Sequence, residues 1–349
     1  MLAYRRLGIP EPPVKSMLHT IQKMKHHVRT TFGDSEFTMS RDEMVEPYQG
    51  LLQGNGASPA TWVIISAPLI NMMREAQNGA FIVEPIRKKV HHTAGFAFVD
   101  DTDLIEADLR EEGQTLEDVM KKMQSAVNRW EGGLKTTGGA IRPDKSWAYP
   151  IGFKFDKNGK WRYQKLEEIQ HELMVKDDKD ETQRLELIPP DRGKETLGVF
   201  LAPDGSNTEM VRELTEKATK WADLIRAGHL NRDDAKTATN TTIMKSLQYP
   251  LPALSLSKKE CRKIQNIVIN AGLPKSGTCR NYPRAALFGP TEEGGLGLED
   301  LYTYQGTSRI AILQEHINAD TITGEMIRTS IEAAKIEIGV GRNIFELEF

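Results

Sequence analysis

Two adjacent aspartates, Asp100 and Asp101, are the feature that most restricts how this chain can fold. Apolar residues flank them, and the pattern predicts two short strands, Gly95–Asp101 and Asp103–Ala107, that meet at a tight acidic turn. Like charges this close repel each other and raise each other's pKa unless cations neutralise them. A divalent cation with oxygen ligands is the natural remedy. The pair therefore indicates either a metal site or an exposed turn, where aspartate is also common.

A glycine-rich loop precedes the aspartate pair and runs Gln-Gly-Asn-Gly-Ala-Ser-Pro from Gln53 to Pro59. Its glycines allow the backbone to approach a ligand closely. Ser58 is a typical N-cap and Pro59 suits the first helical turn, so we expect an apolar helix over about 60–76. By itself, such a loop favours an ordinary capped start of a helix.

The loop and the aspartate pair together resemble the reverse transcriptase family, specifically that of non-LTR retroelements. In that family a Gln-Gly-x-x-x-Ser-Pro loop contacts the incoming nucleotide and template, and an aromatic-x-Asp-Asp turn holds the catalytic metals. The resemblance implies that Asp100 is the main metal ligand and Asp101 a supporting carboxylate for two Mg²⁺ ions, which Mn²⁺ can replace. It also implies substrate contacts from both motifs, at Gln53, Gly54, Ser58, Pro59 and Phe98.

Further segments match the same family in order along the chain. The stretch from Trp130 to Ser146 resembles the helix-then-lysine element beside the active site, and it implies that Lys145 stabilises or protonates the leaving pyrophosphate. A solvated loop lysine remains an equal alternative. Leu197 and Gly198 resemble the ribbon that grips the primer end, and 279–301 resembles the region after the thumb. Asp103 is interpreted as a strand residue rather than a ligand.

The pattern of short strands gives way to long helical patterns near residue 206. We therefore expect an α+β fold: a polymerase palm with an antiparallel sheet and helices on one face, followed by an α-helical thumb and a C-terminal helical region. The expected domains are 1–205 for partial fingers and palm, 206–273 for the thumb, and 274–349 for the extension.

Several local patterns predict individual elements. Helical spacing is present in Val14–Val28 and in Leu116–Trp130, the second ending at Gly132-Gly133. Turn residues predict hairpins around 33–35 and 156–159, and the charged region 171–188 is compatible with another ribbon. The residues Thr196–Leu201 are predicted to form one strand. Helices are expected at about 207–227, 231–246, 256–271 and 304–317.

Charge and composition limit the partners. The net charge is -3, but basic residues concentrate at 1–30 and 258–284, so local patches could still bind a phosphate backbone. No apolar run is long enough to cross a membrane, and two cysteines without metal-type spacing predict neither a disulfide framework nor a zinc site. The expected partners are an RNA template, a DNA primer and dNTPs. Localisation and oligomeric state stay open.

The family has one more metal-binding aspartate, on a strand ahead of the helix that 14–28 resembles. Asp34 and Asp42 fall in a turn and a polar loop, so neither takes that role. The resemblance therefore implies an N-terminally truncated reverse transcriptase, and we expect this chain alone to be inactive or nearly so. One alternative is a relic that binds nucleic acid without catalysis. Another is a palm-like structural protein.

Overall fold

A computed structural model describes residues 2–40, 58–110 and 113–346 of the chain, and its class is mixed α+β, as the sequence predicts. The helices are α1 Leu2–Arg6, α2 Glu11–Gln22, α3 Ser58–Glu75, α4 Leu116–Thr137, α5 Thr208–Ala227, α6 Arg232–Thr237, α7 Met244–Gln248, α8 Lys258–Lys275, α9 Arg284–Phe288, α10 Leu301–His316 and α11 Ile322–Ile338. A π-helical segment, Ala238–Ile243, joins α6 to α7.

The strands are short and most form separate two-stranded ribbons. They are β1 Arg29–Thr30, β2 Gly33–Asp34, β3 Ala80–Val83, β4 Val90–Thr93, β5 Gly95–Phe98, β6 Asp101–Leu104, β7 Ala107–Asp108, β8 Trp147–Ala148, β9 Phe153–Phe155, β10 Trp161–Tyr163, β11 Met174–Lys176, β12 Thr182–Arg184, β13 Glu186–Leu187, β14 Lys194–Thr196 and β15 Val199–Leu201. No helix in the described ranges combines the length and apolar character needed to span a bilayer.

The chain divides into two compact units. The first unit comprises Met1–Val83, Lys89–Trp147 and Gln170–Glu186, and the second comprises Glu84–Lys88, Ala148–Ile169 and Leu187–Phe349. The aspartate pair therefore belongs to the first unit, and the predicted primer-gripping residues belong to the second.

Helices α3 and α4 form the core of the first unit. Leu69 and Met73 of α3 pack with Ala126 and Trp130 of α4, and Leu104 of β6 packs against the same cluster. The helix α4 begins with a capping box between Thr115 and Asp118, in which each side chain accepts a hydrogen bond from the other residue's backbone N–H.

The predicted end of α4 at Gly132-Gly133 is wrong, because the helix continues to Thr137 and is capped by Gly138 at a φ of 82°. Gly133 is buried where α3 crosses α4, and a Cβ there would lie 2.8 Å from Cε of Met72 and 2.9 Å from Cδ2 of Leu69. The glycine thus permits close helix packing instead of stopping the helix. Gly132 has open space around it.

A row of polar α4 side chains holds the ribbon of β11 and β12. Gln124 donates to the backbone carbonyl of Met174 and accepts from its N–H, both at 2.8 Å. Glu131 accepts from the N–H of Lys176 at 3.0 Å. The outer backbone edge of β11 is therefore bonded by a helix rather than by another strand. The presence of this ribbon agrees with the ribbon considered for 171–188 from the sequence.

The small sheet β4-β3-β7 ends in an ion pair between the buried Asp108 of β7 and the exposed Arg110 that follows it. β3 pairs antiparallel with β4 and parallel with β7. The guanidinium of Arg110 forms two hydrogen bonds to Asp108, at 2.8 and 2.6 Å, and lies 3.5 Å from the ring centroid of Phe81. Bonding to Arg110 lowers the pKa of Asp108 to about 2, although partial burial opposes the shift.

Helical packing forms the core of the second unit, and the expected helices are present with revised ends. α5 presents buried residues at nearly every fourth position, namely Met210, Leu214, Ala218, Ala222 and Ile225, and it packs against α8. The buried amide of Gln305 in α10 bonds to both the N–H and the carbonyl of Leu256, at 3.0 Å each, so α10 is tied to the segment before α8. The helix α11 lies in the expected C-terminal helical region, but its own bounds were not predicted.

Two turn predictions need correction. The hairpin around 33–35 exists, but its turn lies at Thr31-Phe32, because Thr30 pairs with Gly33. Thr196–Leu201 is not one strand: the chain reverses at Leu197-Gly198, where both residues have positive φ, 52° and 78°. Two consecutive positive φ angles are the pattern of a type I′ turn, so this segment is a hairpin of β14 and β15.

The two glycines of α4 should respond oppositely to substitution. Gly132→Ala removes helix-disfavouring flexibility at an open position and should raise the free energy of unfolding by about 0.5–1 kcal/mol. Gly133→Val should lower it by about 1–3 kcal/mol because its side chain overlaps Met72 and Leu69. Urea unfolding followed by circular dichroism measures both. Equal effects of the two substitutions would contradict the close crossing.

The Asp108–Arg110 pair predicts a pH-dependent stability. A depressed folded-state pKa stabilises the fold above the unfolded pKa of 3.8, and this stabilisation disappears as the pH falls through about 2. Asp108→Asn should therefore cost about 1 kcal/mol near neutral pH, a value reduced for the partial exposure of Arg110, and the difference should shrink steadily below about pH 4. Asp34→Asn in the exposed Arg29–Asp34 pair is the matched control, expected to change unfolding little at any pH. A pH-independent loss in Asp108→Asn would contradict the argument.

Candidate active site

The aspartate pair lies at the tip of the β5–β6 hairpin. Phe98 pairs with Asp101, which leaves Val99 and Asp100 as a two-residue loop. The predicted tight acidic turn is confirmed, although the second strand begins at Asp101 rather than at Asp103. Asp100 therefore occupies the loop itself, and Asp101 opens β6. Both aspartates are exposed.

The hairpin has one face toward the core and one toward solvent. Residues paired across antiparallel strands share a face, and the pairing places Phe96, Phe98, Asp101 and Asp103 together. Leu104 lies on the other face and packs with the α3–α4 core. Phe96 and Phe98 expose 49% and 62% of their surface, so the carboxylates emerge from an aromatic surface that no described residue covers fully.

Gly95 fixes the base of the hairpin. Its φ is 151°, and a Cβ there would lie 2.1 Å from the carbonyl oxygen of Asp103. Since no backbone can move that far without breaking the pairing, only glycine fits. The close approach sets the register that brings Asp101 opposite Phe98.

The turn contains a strained residue. Val99 has a φ of 56°, and Asp100 is not among the residues with positive φ, which together match a type II′ turn. That turn favours glycine at its first loop position. A β-branched residue at positive φ is unusual and costs on the order of 1–3 kcal/mol. Such strain concentrates at functional sites, and here it immediately precedes Asp100.

Asp103 is the residue that sequence reasoning undervalued. It is a strand residue, as predicted, but it stands two positions after Asp101 on the same face. Surrounding protein atoms, and then the charge of Asp101, raise the pKa of Asp103 above its ordinary value. The period-two alternation of strand side chains was the signal that could have grouped it with the pair.

The carboxylates suit a hard divalent cation in chemical type. Asp100 and Asp101 offer exposed oxygen ligands on adjacent residues, which Mg²⁺ prefers. Over residues 2–40, 58–110 and 113–346, no group of three or more His, Cys, Asp or Glu could hold a metal ion. The pair thus fits as part of a ligand set, which a substrate phosphate or another carboxylate must complete.

The other predicted site residues are distributed as follows. Ser58 is the first residue of α3, and exposed Pro59 is in its first turn. Lys145 ends a 3₁₀ turn, Pro143–Lys145, after α4, and its side chain is exposed. These three belong to the first unit with the aspartate pair, whereas the structure brings only Phe98 directly against the pair. Gln53 and Gly54 lie outside the described residues.

Leu197 and Gly198 form the tip of the β14–β15 hairpin in the second unit. The hydroxyl of Tyr249 donates to the carbonyl of Leu197 at 2.8 Å, and a Cβ at Gly198 would lie 3.4 Å from Cε1 of the Tyr249 ring. Val199 is buried against α5 and anchors the hairpin. A ribbon is present at these residues, and its contact with a primer stays a prediction.

Comparison with models of known protein families gives no match to this chain, and a comparison with curated proteins gives none either.

Relieving the strain at Val99 should stabilise the protein. Val99→Gly replaces an unfavourable positive-φ residue with the one that a type II′ turn favours, so the free energy of unfolding should rise by about 0.5–2 kcal/mol. Val90→Gly is the matched control, because Val90 is an exposed valine in a strand and its φ is not positive. This substitution should lower the free energy of unfolding. Denaturant unfolding compares them. A loss of stability in Val99→Gly equal to that in Val90→Gly would contradict the strain.

Proposed function

We propose that this chain is part of a reverse transcriptase and that the Asp100–Asp101 turn is its nucleotidyl-transfer site. The observation that carries the proposal is the hairpin tip: two adjacent carboxylates on a tight, strained turn, with Leu104 of the opposite face packed on two helices. Such a turn presents acid to solvent on a rigid base. A site for phosphoryl transfer needs this combination of fixed position and negative charge.

In this proposal Asp100 and Asp101 would hold Mg²⁺, and a bound Mg²⁺ would supply Lewis-acid stabilisation of the negative charge on the reacting phosphate. Phe98 lies beside Asp101 and offers an exposed ring to the nucleotide. Asp103 adds negative potential on the same face, which favours a bound cation over a vacant turn. Ser58, Pro59, Gln53 and Gly54 contact the incoming nucleotide or template, and Lys145 acts on the pyrophosphate. Leu197 and Gly198 hold the primer end.

A basic helix face supports a nucleic-acid partner. The first turns of α8 expose four cations, Lys258, Lys259, Arg262 and Lys263. The only acid there, Glu260, is engaged in a capping box with Ser257. Exposed cations on one helix bind a phosphate backbone without reading its sequence, as a thumb domain requires.

A second candidate function is binding of nucleic acid without synthesis. The described part of the chain has no cluster of three metal-binding side chains, and this favours weak or absent catalysis by these residues alone. The fold and the basic helix face would still support binding.

Primer extension on an RNA template, with Mg²⁺ or Mn²⁺ and dNTPs, tests the site. We expect the 349-residue chain to incorporate nucleotides barely above background, and Asp100→Asn to remove what remains. Asp223→Asn, at an exposed position of α5, is the control and should change nothing. Robust synthesis that depends on Asp100 would show that this chain supplies every carboxylate that the reaction needs. Synthesis unchanged in Asp100→Asn would contradict the proposed site.

Binding of a primer–template distinguishes the two candidate functions from the alternative of a structural protein with no nucleic-acid role. Fluorescence anisotropy should show primer–template binding that weakens steeply as salt rises from about 50 to 200 mM. Binding without Asp100-dependent extension supports the second candidate. Absence of binding at the lower salt concentration would contradict both.

A further inference from the structure

The β9–β10 hairpin of the second unit carries a ladder of exposed aromatic rings. Phe155 pairs with Trp161, and Phe153 pairs with Tyr163, so all four rings share one face. Phe153, Phe155 and Trp161 expose 54%, 70% and 51% of their surface. An apolar face of this size is costly to leave in water, and rings that emerge together usually contact something.

The rings are arranged as neighbours rather than as a closed core. The ring centroids of Phe153, Trp161 and Tyr163 are 5.4–5.5 Å apart. Phe153 and Trp161 meet edge to face at 77°, and Trp161 and Tyr163 at 82°. Edge-to-face contact fixes each ring while part of its surface stays open.

The hairpin that carries the rings is rigid. Asp156 accepts hydrogen bonds from the backbone N–H groups of Asn158 and Lys160, both at 2.8 Å, and Gly159 takes a φ of 77°. At the other end the N–H of Gln164 donates to the carbonyl of Gly152 at 2.8 Å. A preformed platform loses little conformational entropy when a ligand binds.

The charge around the ladder is positive. Residues 153–168 contain five Lys or Arg and three acids. Asp156 is occupied by the turn, and Glu168 is paired with Arg162 at 2.7 Å and with Lys154 at 3.2 Å. Lys154 and Arg162 lie on the face opposite the rings, while Lys157 and Lys160 are exposed at the tip.

We propose that this hairpin binds single-stranded nucleic acid, with bases stacked on Phe155, Trp161 and the neighbouring rings and phosphates contacted by Lys157 and Lys160. Exposed aromatic rings beside cations are what an unpaired strand needs, because every base has a flat apolar face and every linkage a negative charge. A duplex hides its bases, so the ladder selects single strands. The inference depends on the hairpin alone and holds whether or not the Asp100 turn catalyses synthesis.

Anisotropy with a fluorescent oligothymidine of about 12 nucleotides tests this site in the whole chain. Phe155→Ala/Trp161→Ala should weaken binding about tenfold or more, and Trp161→Phe should retain most of the affinity. Phe345→Ala removes a ring of similar exposure elsewhere in the second unit and should have no effect. Circular dichroism confirms that each variant folds.

An abasic strand of equal length separates stacking from charge. The wild-type protein should bind the strand with bases more tightly than the abasic strand, by about the factor in affinity that the double substitution removes. The double variant should bind both strands with equal affinity. A preference that survives in the variant would place base contacts elsewhere and overturn the proposal. The proposal would also be overturned if the double substitution left oligonucleotide affinity unchanged but converted a dimer to a monomer in sedimentation. That result would assign the aromatic ladder to self-association instead.

Discussion

The close crossing of α3 and α4 determines where the candidate site sits. Gly133 lets the two helices approach until side chains of α3 occupy the space that a Cβ would need. The resulting cluster receives Leu104 from the inner face of the β5–β6 hairpin. The carboxylates on the outer side of that hairpin are thus held by apolar packing on the inner side, and their position needs no direct contact with either helix.

The hairpin tip accumulates several local costs in a few residues. Val99 has positive φ, Asp101 and Asp103 share one face, and Phe96 and Phe98 are exposed. Each cost alone is tolerable, but natural sequences usually agree with their fold at every level except where function intervenes. The base of the same hairpin shows the opposite behaviour, because Gly95 is the one residue that its backbone accommodates. The hairpin thus combines an unstrained base at Gly95 with a strained tip at Val99.

The sequence predicted elements best where one local pattern decided the outcome. The acidic turn, the helices α3, α5 and α8, and the hairpin on Asp156–Gly159 follow from apolar periodicity and turn chemistry. Prediction failed where tertiary contacts decided. Gly133 reads as a helix stop until its crossing partner is known, and Leu197 reads as a strand residue until its carbonyl is seen bonded to Tyr249. Within the site, the roles of Asp100, Asp101 and Lys145 come from resemblance, since spacing along the chain cannot supply the distances between separate elements.

The polar row of α4 has a further consequence for the β11–β12 ribbon. An exposed strand edge offers unpaired N–H and carbonyl groups to any passing chain and can start intermolecular sheet growth. Gln124 and Glu131 occupy those groups on Met174 and Lys176. The helix α4 therefore protects the β11 edge, which a two-stranded ribbon alone would leave open, from pairing with another chain. It does so through polar side chains of a kind that on most helix surfaces contact only water.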